Sequence, residues 1–148
     1  MPDKALEMAN LPILTTTNSH TAHASQFHVL LYSLAAIVDT QLSGKDQALW
    51  LINEAEKYIP ESSKVVDIVD FVRTDYLANN DVNNWESTRD KVYTRYQMNA
   101  EYNGFYFAGW AESSINFAVT IMALLYGEMD YRRTIQISTS AGWDADKE

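Results

Sequence analysis

The chain has 148 residues, no cysteine and a formal net charge of −9. Its length suffices for one domain with a real core, and apolar and charged fractions of 47% and 21% exclude a disordered chain. Without cysteine there are no disulfides, thiolate metal sites or cysteine nucleophiles, and the acidic balance disfavours contact with nucleic acid.

Residues 2–10 read as a short helix with Pro2 in its first turn. Residues 11–18 read as a connector, because Pro12 disfavours helix before it and Thr15, Thr16 and Thr17 are poor helix formers. Ser19 or Thr21 caps a long helix to about residue 42, with Phe27, Leu30, Leu31, Leu34, Ile37, Val38 and Leu42 on one face and Gly44 ending it. The next helix spans about 45–58, capped by Ser43 with Asp46, and its stripe is Ala48, Leu51, Ile52, Ala55 and Ile59. Pro60 breaks it. Ser62 or Ser63 caps a third helix that turns Val65, Ile68, Val69, Val72 and Tyr76 inward.

Residues 79–84 form a polar turn, after which Trp85, Thr88, Val92 and Tyr96 continue at helical spacing. Residues 99–111 are irregular, with two glycines among Tyr102, Phe105, Tyr106, Phe107 and Trp110. Ser113 caps a helix over 114–126 that is apolar on most faces, so it is expected to be central and buried. Gly127 closes it, and Asp130 caps a last helix from Tyr131. Residues 134–138 alternate as a strand would, but nothing else offers a partner strand, so helix is assigned. With no repeat or domain boundary in view, the expected architecture is all-α, one helical domain over 1–148 arranged as an orthogonal helical bundle. No secretory signal is recognised, and the most apolar stretch, 115–126, is too short to cross a bilayer. The default expectation is therefore a cytoplasmic chain with no membrane partner.

Asp144 and Asp146 stand two residues apart behind Gly142. If the backbone turns at the glycine, both carboxylates can converge on one hard cation such as Mg²⁺, which takes oxygen ligands. The alternative is a frayed, solvated tail. The setting bears on that choice. From 109 to 146 the chain reads GWAESSINFAVTIMALLYGEMDYRRTIQISTSAGWDAD, a buried helix, a short Gly-x-x-Asp turn, a second helix, then a glycine and Asp-x-Asp. This resembles the distal part of the ADP-ribosylglycohydrolase family, especially its fungal-type members. The Thr- and His-bearing stretch 15–23 before the Ala-containing helix 24–42 is similar to an earlier part of the same family.

The resemblance implies a helical, magnesium-dependent enzyme that cleaves the glycosidic bond joining ADP-ribose to a protein side chain or a small acceptor. It makes Asp144 and Asp146 the metal ligands, and ADP-ribose or an ADP-ribosylated protein the partner. It also places His20 and His23 near the ligand, although both suit ordinary roles at a helix start. Tyr106 and Trp110, in the aromatic loop, could stack on an adenine or ribose face or close the core. Two departures are visible: Lys147 stands where the family has a small polar residue, and the family continues past Asp-x-Asp into a small-residue helix. The expectation is thus the C-terminal part of a larger domain, with at most half of the metal shell. The competing expectation is a non-catalytic helical remnant or interaction module, which would expose an apolar groove and could form a homodimer through it.

Overall fold

The computed structural model describes residues 1–17 and 19–144, with the side chains of Ser19 and His20 outside the description. All regular elements among the described residues are helical: α1 (Pro2–Thr16), α2 (Ser19–Ala35), α3 (Gly44–Glu56), α4 (Lys64–Ala78), α5 (Trp85–Tyr93), α6 (Ser113–Gly127) and α7 (Tyr131–Ala141). A π turn, Thr94–Met98, extends α5, and a short 3₁₀ turn covers Glu101–Asn103. No described helix is long and apolar enough to cross a membrane. The chain divides into two compact units, Met1–Asp67 and Ile68–Glu148, the division falling in the first turn of α4.

In the first unit α1 packs on α2, and α2 on α3. Phe27, Leu30 and Leu34 of α2 are buried, as are Ala48, Leu51, Ile52 and Ala55 of α3, following the apolar spacing of each sequence. The Ser43 hydroxyl accepts the Asp46 N–H at 3.1 Å and donates to the Asp46 carboxylate at 2.6 Å, the reciprocal arrangement that starts a helix well. Ser63 caps α4 by accepting the Val65 N–H at 3.2 Å.

Three sequence expectations are corrected here. Residues 11–16 are helical, not a connector: α1 runs through Pro12 to Thr16. Pro12 withholds one main-chain donor, but the hydroxyls of Thr15 and Thr16 donate to its carbonyl at 2.8 and 3.1 Å, and Thr17 donates to Ile13 O at 3.3 Å. Threonines that weaken a helix interior here satisfy the carbonyls of its last turn. Second, α2 stops at Ala35 instead of continuing to about 42. Two tight turns follow, Ile37 N–H to Leu34 O and Leu42 N–H to Asp39 O, with the Asp39 carboxylate accepting the Gln41 N–H. Ile37 and Leu42 are exposed, so extending the helix would bury little there. Third, Gly44 opens α3 and does not close α2.

In the second unit α6 packs against α5 and α7. Ile115, Phe117, Ala118, Val119, Ile121, Met122, Ala123 and Leu125 are all buried, so α6 takes the central place its apolar faces predict. Its buried tyrosine is satisfied: the Tyr126 hydroxyl meets Thr88 at 2.7 Å and accepts from Asn79 Nδ2 at 2.9 Å, while Thr88 donates to Asp75 at 2.6 Å and Lys91 pairs with that carboxylate. Tyr76 donates to Glu128 at 2.7 Å; its burial, and then the adjacent carboxylate, push the phenol above its ordinary pKa. Residues 134–138 lie within α7, so the helical assignment for that stretch holds.

Candidate functional site

The α6–α7 hairpin is the scaffold that carries Asp144. At its tip Gly127 lies so close to α7 that a Cβ there would sit 2.0 Å from Thr134 Oγ1 and 3.1 Å from the Thr134 Cα. Glu128 and Met129 then take left-handed conformations, φ +48 and +65, and the Asp130 carboxylate accepts the Arg133 N–H at 2.9 Å to start α7. Arg133 reaches back to the Val82 carbonyl at 2.6 Å. At the other end of α6 the cap is Glu112, one residue before the expected Ser113, and its carboxylate accepts the Ser114 N–H at 3.1 Å.

After α7 the backbone turns through Gly142 and Trp143, φ +103 and +57. Glycine tolerates this region freely, and Trp143 is held there by its surroundings: its indole N–H donates to Gln97 Oε1 at 2.8 Å. Gln97 comes from the π turn, whose closing bond runs from Asn99 N–H to Thr94 O at 3.0 Å. Asp144 is only 4% exposed, and its N–H donates to Asn116 Oδ1 at 3.2 Å. Asp144 itself is therefore withdrawn from solvent.

Asn116 does more than accept that bond. Its Nδ2 donates to the carbonyls of Trp110 and Glu112, both at 3.0 Å. Two carbonyls on one side and one N–H on the other fix which end of the amide is which. The aromatic loop is thereby tied to α6 and to residue 144. The loop's rings divide: Phe105 is buried edge-on against Tyr96 with centroids 4.8 Å apart, whereas Tyr106 and Trp110 are 67% and 62% exposed. Beside the loop a groove of about 660 Å³ is lined by Gln97, Met98, Glu101, Tyr102 and Phe107, among others.

The sequence-derived candidates thus have different placements. Trp110 and Asp144 are linked through Asn116, and Tyr106 projects from the same loop. Asp146 lies outside the described residues, as does the side chain of His20. His23 belongs to the first unit, half-buried, with its Nδ1 2.8 Å from the Ser63 hydroxyl that caps α4. Among the described residues no group of three or more His, Asp or Glu gathers so as to hold a metal ion. Sequence reading missed Asn116 and Gln97. Asn116 carried a signal, being a polar residue inside the most apolar stretch, but Gln97 carried none.

No protein-family model, no curated protein and no solved structure matches this chain.

Proposed function

We propose that this chain belongs to a magnesium-dependent, ADP-ribosylglycohydrolase-type hydrolase, an orthogonal helical bundle in which it carries the Asp-x-Asp ligands. The observation that carries the reading is the burial of Asp144 behind a glycine turn at the end of the α6–α7 hairpin. A carboxylate removed from bulk water interacts more strongly with a cation than an exposed one does. The donor chemistry suits Mg²⁺, which is usually held through one or two carboxylates, several waters and substrate phosphates. Asp144, with Asp146, would hold the ion. When bound, Mg²⁺ supplies orientation and polarisation of oxygen ligands on the substrate. The chain's own part is to aim the Asp144 carboxylate through the Gly142 turn. It also presents Tyr106 and Trp110 as exposed faces on which a ribose or base can stack.

A paramagnetic titration tests this. Mn²⁺, competed by Mg²⁺, is expected to broaden the amide signals of residues 142–144 and of Asn116 first. Asp144→Asn is expected to abolish that selectivity. Broadening spread evenly over exposed carboxylates such as Asp70 and Asp90 would reject the metal assignment.

The second reading is a non-catalytic interaction module. The exposed rings of Tyr102, Tyr106 and Trp110 favour it. It expects no site-selective Mn²⁺ effect, and ADP-ribose that leaves the Trp110 signal unmoved with or without Mg²⁺.

A further inference from the structure

We infer that Asn116 is a positioning residue that couples the Asp144 carboxylate segment to the aromatic loop, so that occupation of one is felt at the other. This rests on the metal-binding reading of Asp144 for its consequence, though not for its geometry.

The geometry is a single amide with both ends engaged. Oδ1 accepts the Asp144 N–H at 3.2 Å, and Nδ2 donates to Trp110 O and Glu112 O at 3.0 Å. The side chain rises from the first turns of α6, a helix held by burial along nearly its whole length, so its base is fixed while its tip joins two irregular segments. Neither of those segments is part of a regular helix. Gly142 and Trp143 turn through positive φ, and the loop before α6 passes through Gly109 at φ +144. A short amide on a rigid helix transmits displacement well, because movement of the Asp144 backbone must rotate the amide or stretch a bond to Trp110. Trp143 is tied separately to Gln97 at 2.8 Å. Asn116 thus links residue 144 to the Trp110 carbonyl, whereas Gln97 lines the neighbouring groove. The exposed Trp110 ring, carried on a backbone anchored this way, reports the state of the carboxylate. In the hydrolase reading it couples ligand stacking to metal occupancy.

Fluorotryptophan labelling tests the coupling, since the four tryptophans, Trp50, Trp85, Trp110 and Trp143, give separate fluorine signals. In the wild-type chain Mg²⁺ is expected to move the Trp143 and Trp110 signals with one midpoint. In Asn116→Ala, a substitution that favours helix at a half-buried position, Trp143 should still respond and Trp110 should not. A Trp110 signal that stays fixed in the wild type while Trp143 moves, or that still follows Mg²⁺ in Asn116→Ala, overturns the coupling and leaves the metal site standing. If Mg²⁺ moves neither signal, the metal reading of Asp144 falls, and the coupling is decided without metal. Asn116→Ala should then shift the Trp110 signal and speed exchange of the Asp144 amide about fivefold, the factor corresponding to one net hydrogen bond. A change confined to one of the two overturns it. The wild-type titration decides by itself should the variant fail to fold.

Discussion

Helices α1 and α6 have the same length, fifteen residues, and opposite reasons for existing. In α1 only Pro2 and Ile13 are buried, and Met8, Leu11 and Leu14 face solvent. Beyond its packing on α2, its support is local: Pro2 in the first turn, Asp3 at the positive end of the helix dipole, a Lys4–Glu7 ion pair, and threonine hydroxyls on the last carbonyls. Eleven residues of α6 are buried, and its sequence has no charged side chain between Ser113 and Gly127. Local terms of a few tenths of a kcal/mol each contribute a larger share to the first helix, whereas apolar burial of about 1.5–3 kcal/mol per large side chain dominates the second. A helix held by burial can serve as a fixed base for a site. One held by its own surface chemistry frays before the rest unfolds.

The contrast can be broken most forcefully in α6. Ile121→Ala is expected to cost about 2–5 kcal/mol in urea unfolding, because it leaves a cavity at a fully buried position. Leu14→Ala in α1, 58% exposed in the native chain, should change stability by less than about 0.5 kcal/mol. Equal losses at the two positions would show that α1 is held by contacts of the same kind as α6.

Gly127→Ala probes the hairpin that bears Asp144. The added methyl meets Thr134 side-chain and backbone atoms, so α7 must shift, at a cost of about 1–3 kcal/mol. The same shift should unseat the Trp143–Gln97 bond and change the Trp143 fluorescence. A thermal midpoint equal to that of the wild type would show that the hairpin has slack the geometry denies.

The smallest effect belongs to the first unit. Burial lowers the pKa of His28, more than its 2.8 Å hydrogen bond to the Ala24 carbonyl raises it. The unfolded chain therefore takes up the proton first, below its ordinary value of about 6.5. The His28 contribution is fully present above that pH, declines as pH falls toward the lowered folded value, and falls no further once the folded pKa is passed. His28→Gln should flatten this part of the stability–pH curve. An unchanged slope would place the titration elsewhere.

Much of the helical order was legible because its causes are short in sequence. Ser43 with Asp46, and Asp130 three residues before Arg133, are caps whose partners lie within one turn. The stripes of α3 and α4 follow from the helical period alone. Pro12 and the threonines after it misled because propensity describes a helix interior, and these residues finish a helix end. The aromatic loop could not be divided from sequence, since only packing sends Phe105 inward against Tyr96 and leaves Tyr106 and Trp110 outside.

By itself, then, the sequence determined that the described chain is all-helical, that α6 is buried, and that Asp144 follows a glycine able to turn. Tertiary structure alone decided that α2 ends at Ala35, that Gly127 lies against Thr134, and that Asn116 holds a residue 28 positions away. Caps and periodicity act within a turn of helix, so they can be read along the chain. A hydrogen bond between distant segments depends on where packing has already brought them, and no local pattern of residues encodes that distance.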